Sequence, residues 1–178
     1  MDAFLMGMLA IIALLVVGLI RFVWKTYNEL IYFRIQVDKQ ASHVDVHLKQ
    51  KFDMIPALLD VVKGYAKHEK GTMEEVTKLR SQWGAAKTPE QKMKTANMLE
   101  SALSKLLLVQ ERYPNLKANK SFLSIQKSIR VVEQQLVHER KVFNQRVKRY
   151  NVRLQLFPRV IVAKMFGFGE KTFFQMEK

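Results

Sequence analysis

Eighteen consecutive residues, Ala3 to Ile20 (AFLMGMLAIIALLVVGLI), carry no charge. With Arg21 snorkelling to an interface, Phe22, Val23 and Trp24 extend the apolar stretch. Roughly 20 helical residues cross a hydrocarbon core, and Trp24 and Tyr27 fall where aromatic rings favour the headgroup layer. A cleaved signal peptide fits poorly. Only Met1 and Asp2 precede the apolar run, without a Lys or Arg, and no small-x-small site stands before Arg21. The stretch reads as a transmembrane anchor over residues 1–25. Asp2 lies before it and Arg21, Lys25 and Arg34 lie after it. The positive-inside rule therefore predicts an outside N-terminus and a cytoplasmic bulk.

The 30 Lys and Arg outnumber 16 Asp and Glu, giving a net charge of +14. Such a balance implies a polyanionic neighbour, either an anionic leaflet or nucleic acid. No stacking platform or groove-reading motif is present, so nucleic acid is not expected, and a membrane-tethered nucleic-acid binder is the remote alternative. The chain has no cysteine, which excludes disulfides, thiolate metal sites and a Cys nucleophile.

Only seven Gly and four Pro punctuate the chain, so long helices are expected. From the anchor onward, a first long helix carries Val37, Ala41, Val44, Leu48, Phe52, Ile55, Leu59 and Val62 at steps of three and four. Pro56 should kink it, and Gly71 is its expected stop. Thr72 with Glu75 predicts a capping box opening a short helix through Val76, Leu79 and Trp83. Thr88-Pro89-Glu90-Gln91 predicts a second box, with Pro at the favoured first position. The helix it starts carries Met93, Ala96, Leu99, Leu103, Leu106 and Leu107, ending before Tyr113-Pro114. A second long helix spans Lys120 to Phe157, with Phe122, Ile125, Ile129, Val132, Leu136, Phe143, Val147, Tyr150, Leu154 and Phe157 on its seam.

The expected fold is all-α. The transmembrane helix continues into an antiparallel, up-and-down four-helix bundle over residues 26–158, with two long and two shorter helices. A basic, Phe-rich tail follows over 159–178. Between Phe143 and Lys178 eight basic residues face only Glu170 and Glu177, whereas His68 to Glu100 holds six basic and five acidic residues. The last long helix is therefore expected to return its basic end to an anionic bilayer.

Several stretches resemble the LemA family of bacterial membrane proteins: YNELIYFR (27–34), VDVHLKQKFDMIPALLDVVKGYAKHE (44–69), YPNLKANKSFLSIQKSIRVVE (113–133), YNVRLQLFP (150–158) and AKMFGF (163–168). They stand in one order over nearly the whole length. The resemblance implies an N-terminal anchor, a helical-bundle cytosolic domain, a bacterial inner-membrane location and no enzyme activity. Some relatives belong to magnetosome membranes, and family genes often neighbour membrane metallopeptidases. His47, Gln50-Lys51 and Phe143-Asn144 depart from the residues common in the family.

His43 and His47 are four apart, but two imidazoles without a third ligand do not make a metal site. His68-Glu69 lacks the second His a zincin helix needs. No catalytic, metal or cofactor site is expected, and no cofactor. Arg140 interrupts the apolar seam of the last long helix. An antiparallel pairing sets it level with residues 38–53, where Asp38, Asp45 and Asp53 are candidate partners. Arg140 with Asp45 is the expected structural ion pair. Arg149, Arg153, Arg159, Lys164, Phe166 and Phe168 are the expected membrane-surface contacts. The tail rings of Phe166, Phe168, Phe173 and Phe174 either lie in the bilayer interface or dock on the base of the bundle. The expected function is a non-catalytic, membrane-anchored scaffold or adaptor at the cytoplasmic face, binding other proteins or its own copies as a homo-oligomer. An accessory role in membrane-protein quality control beside a protease is the alternative.

Overall fold

A computed structural model describes residues 2–174; Met1 and the last four residues of the expected tail lie outside them. The described residues form helices and connecting turns, with no strand among them. They comprise α1 (Asp2–Asp53), α2 (Ile55–Tyr65), α3 (Lys70–Ala85), α4 (Pro89–Leu108), α5 (Pro114–Lys117), α6 (Lys120–Gln155) and α7 (Arg159–Met165), with 3-10 turns at Lys67–Glu69 and Val109–Arg112. Helix α1 is long and apolar enough to cross a membrane, and its stretch from Ala3 to Ile20 is exposed throughout. The chain divides into two compact units. One joins the first 40 residues to Asn144–Phe173, and the other joins Ala41–Phe143 to Phe174.

In the second unit, Val44, Leu48 and Phe52 of α1 are buried, as the four-residue spacing requires. Pro56 acts on the carbonyl four residues earlier. It has no N–H for Phe52, so α1 stops at Asp53 and α2 restarts at Ile55. The orphaned Phe52 carbonyl accepts instead from Arg80 Nε at 2.9 Å. Ile55 and Val62 stay buried as expected after the restart. Leu58 is buried where Leu59 was expected, and Leu59 is half-buried.

The first long helical segment does not run on to Gly71. Helix α2 closes at Tyr65, the Ala66 N–H reaches the Val62 carbonyl at 2.8 Å, and the buried Ala66 turns the chain. The 3-10 turn then feeds straight into α3, leaving Thr72 and Glu75 inside that helix. No capping box forms there, because the chain enters α3 already turning. Arg112 (3.0 Å) and Tyr113 (3.5 Å) hold the carboxylate of Glu69, the residue preceding α3. The second expected box behaves differently. Thr88 is extended, and its hydroxyl accepts the Gln91 N–H at 3.2 Å above Pro89. Asn119 opens α6 in the same way, accepting the Phe122 N–H at 2.9 Å while its amide donates to Tyr65 at 3.0 Å.

Helix α4 buries Ala96, Leu99, Ala102, Leu103 and Leu106, and α6 contributes Phe122, Ile129, Val132 and Leu136 to the same unit. In the first unit Leu30 and Val37 of α1 are buried, as are Val147, Tyr150 and Leu154 of α6. Phe157 leaves the expected seam: α6 ends at Gln155, and Phe157 is 80% exposed.

Leu48 is 1% exposed. Leu48→Asp puts a charge there without a partner and should cost about 3–5 kcal/mol. Unfolding of the full chain in mild detergent, followed by circular dichroism, checks it.

Candidate functional site: a buried ion-pair cluster and a basic, aromatic helix junction

The second unit holds a compact ionic cluster. Lys51, 4% exposed, meets Glu100 at 3.2 Å and Glu133 at 3.6 Å. Arg140, 6% exposed, donates from Nη2 to the other Glu100 oxygen at 2.9 Å. Its guanidinium lies 4.2 Å from the Phe174 ring centroid. Arg140 is thus buried and paired as its place in the seam requires, but not with Asp45. Helix α4 lies between: Lys92 takes Asp45 at 2.6 Å, and Glu100 takes Arg140. The expected pairing considered only two helices, and a carboxylate from a third satisfies the charge.

Beside this cluster, Trp83 packs edge-on against Phe52 at 5.0 Å, with the Lys92 ammonium 5.1 Å from its ring. The hydrogen bond from Lys49 (2.7 Å) holds the Asp53 carboxyl below its usual range; slight burial opposes this, and the positive charges of Lys49 and Arg80 add to it. His47 lies 3.3 Å from Gln50, and no group of three His, Asp or Glu could hold a metal among the described residues.

The first unit is organised around Glu29. Its two oxygens receive Arg153 Nε and Arg159 Nη2, each at 3.1 Å. The Arg153 guanidinium also stacks 3.6 Å from the Phe33 centroid. Tyr27 meets Phe166 at 4.9 Å and Phe168 at 5.6 Å, both edge-on. What brings those rings back is the end of α7. Gly167 has φ +67, its N–H reaches the Lys164 carbonyl at 3.2 Å, and the Phe168 N–H reaches the Ala163 carbonyl at 2.9 Å. These are the two bonds of a Schellman turn, whose left-handed position suits glycine. The pattern Lys164-Met165-Phe166-Gly167-Phe168 carries that signal in sequence.

Beyond it, Asn151 and Lys171 exchange bonds: the Asn151 amide donates to the Lys171 carbonyl at 2.9 Å, and its oxygen accepts the Lys171 N–H at 3.0 Å. Lys171 also reaches Asp38 at 2.9 Å. Arg146 reaches Gln36 at 2.7 Å. Of the six expected surface contacts, Arg149, Lys164 and Phe166 are exposed, although Phe166 also touches Tyr27; Arg153 and Arg159 turn onto Glu29, and Phe168 onto Tyr27. Glu29 was missed as their organiser, although it is the one acid in YNELIYFR.

The family model for LemA matches residues 40–178. This chain belongs to the LemA family. It is similar to Protein LemA of Metamycoplasma hominis, 24% identical over 166 residues, covering 91% of this chain and 75% of that relative. The matched region takes in the ionic cluster, α6, α7 and the Schellman turn, while Tyr27 and Glu29 precede it.

Two predictions follow from this geometry. Arg140→Ala leaves Glu100 with one cation fewer and should destabilise the chain by about 3 kcal/mol. Glu100→Ala should couple to it strongly in a double-mutant cycle, whereas Asp45→Ala should add independently. Chemical unfolding of the three single and two double variants measures both couplings. The second concerns Tyr150, whose hydroxyl donates to the Gly169 carbonyl at 3.1 Å. Burial raises its phenol above the usual range, with Arg34 opposing and Asp38 adding. The folded pKa exceeds the unfolded one, so the stabilisation is complete below the ordinary tyrosine range and is lost as pH rises through the folded value. Absorbance titration at alkaline pH should show one late-ionising tyrosine, absent in Tyr150→Phe, and that variant should lose less stability on alkalinisation.

Proposed function

We propose that this LemA-family chain is a non-catalytic scaffold or adaptor, tethered by α1 to the bacterial inner membrane with its N-terminus outside. Its helical domain then stands at the cytoplasmic face and binds other proteins, its own copies among them. One observation carries the reading. The same unbroken helix that exposes apolar side chains on every face from Ala3 to Ile20 buries only one stripe, Leu30, Val37, Val44, Leu48 and Phe52, further on. An all-round apolar segment suits lipid, and a one-sided stripe suits a bundle.

A four-helix, up-and-down arrangement belongs to the same proposal. Asp45–Lys92 and Lys51–Glu100 climb α1 and α4 together, which favours a parallel pair. Across the bundle, Lys51–Glu133 and Arg140–Glu100 tie α6 to α1 and α4, and Arg80 ties α3 to the end of α1. Short connections fit alternate directions for successive helices. Such a domain offers helix faces rather than a reaction centre. Exposed Val131 and Val137 on α6 are surface available to a partner.

Crosslinking mass spectrometry on native membranes, combined with spheroplast proteolysis, tests the reading. External protease should leave the domain intact, and reproducible crosslinks should join it to defined partners or to a second copy. Digestion from outside overturns the topology. Crosslinks concentrated on a membrane protease would move the assignment to quality control.

A further inference from the structure

Helix α7 and the turn before it expose an apolar stripe whose place on α1 is fixed. Ile161 (59% exposed) and Met165 (62%) stand four apart on α7, and Leu156 and Phe157 (80%) are exposed in the turn before it. The opposite face, Val162 and Ala163, is buried. Exposed apolar residues scattered singly are ordinary, but several large ones on one short segment whose other side is buried mark a surface that something covers. No Asp or Glu occurs between Glu139 and Glu170, and Lys164 beside the stripe is exposed. Glu170 reaches Gln155 at 2.7 Å at one edge of this surface; a surface that is mainly apolar and flanked by cations suits an anionic bilayer.

Position decides between lipid and protein. Arg159, the first residue of α7, is held at 3.1 Å by Glu29, and Phe166, just past its end, packs against Tyr27 at 4.9 Å. Both ends of α7 are therefore bound to a single turn of α1. That turn lies three to five residues beyond Trp24, where the apolar run ends, or about 5–8 Å further along the axis. The headgroup layer on each side of a hydrocarbon core is about as thick.

We propose that α7 is a second membrane contact: an interfacial helix whose Phe157–Ile161–Met165 stripe enters the cytoplasmic leaflet beside the anchor. The Glu29 carboxylate is what aims it. By taking Arg153 and Arg159 it holds the end of α6 and the start of α7 against α1, and the cations left facing the headgroups are Arg149 and Lys164. The proposal rests on α1 being the membrane anchor. Of the expected lipid-facing rings, Phe168 is half-buried against Tyr27, whereas Phe166 touches Tyr27 and is still 48% exposed beside Met165.

The chain has no cysteine, so a single introduced one can be labelled uniquely. Phe157→Cys, Ile161→Cys and Met165→Cys in the full chain, with Leu14→Cys as anchor control and Ser128→Cys as aqueous control, are labelled with an environment-sensitive fluorophore. Each is placed in nanodiscs of phosphatidylcholine and phosphatidylglycerol. At 157, 161 and 165 the emission should shift to the blue, be quenched by lipid-borne nitroxide and resist aqueous iodide. Leu14→Cys should behave alike and Ser128→Cys oppositely. Iodide quenching at the three positions with Leu14→Cys in lipid overturns the second contact and leaves the anchor standing. Protection from both quenchers there overturns it in favour of a second copy covering the stripe. Iodide access at Leu14→Cys overturns the anchor reading and this proposal with it.

Discussion

Helix α1 changes character along its length, and the rest of the chain answers to that change. From Ala3 to Ile20 its side chains are apolar in all directions; from Leu30 to Phe52 one apolar stripe is buried. A stripe of that kind has to be covered by other helices if it leaves lipid. Leu154, Tyr150 and Val147 are buried with Leu30 and Val37 in one unit, and α4 and α6 residues are buried with Val44, Leu48 and Phe52 in the other. Helix α1 belongs to both.

Charge is handled in two ways along this framework. In the second unit Lys51 and Arg140 are nearly fully buried, so their carboxylates are obligatory, and Glu100 accepts from both. A buried pair of this kind adds less to net stability than to specificity, since desolvation offsets much of the attraction. It fixes which faces of α1, α4 and α6 meet. In the first unit the pairs are half-exposed and rest on stacking as well as attraction: Arg153 is held both by Glu29 and by the Phe33 ring. The basic excess near the C-terminus is thus partly consumed inside the fold, which leaves a smaller set of cations for a lipid surface than the sequence count implies.

What the sequence by itself determined was local and periodic. The charge-free run, the buried positions on α4 and α6, the break near Pro56, the Thr88 cap and the need to pair Arg140 all follow from spacing and from chemistry acting within a turn or two. Family membership was legible too, because long motifs survive in order. Tertiary structure alone decided the rest. Arg140 took Glu100 because a third helix came nearer than the one considered. Leu58 rather than Leu59 is the fully buried residue between Ile55 and Val62, a choice made by the packing around α2. Glu69 and Arg112, far apart in the chain, met before α3, and Thr72 lost its capping role. Phe168 met Tyr27 because the left-handed Gly167 reverses the chain, and Phe166 touches the same ring while staying 48% exposed. In each case the partner is remote in sequence, and periodicity specifies which face is apolar but not which remote side chain will arrive to meet it.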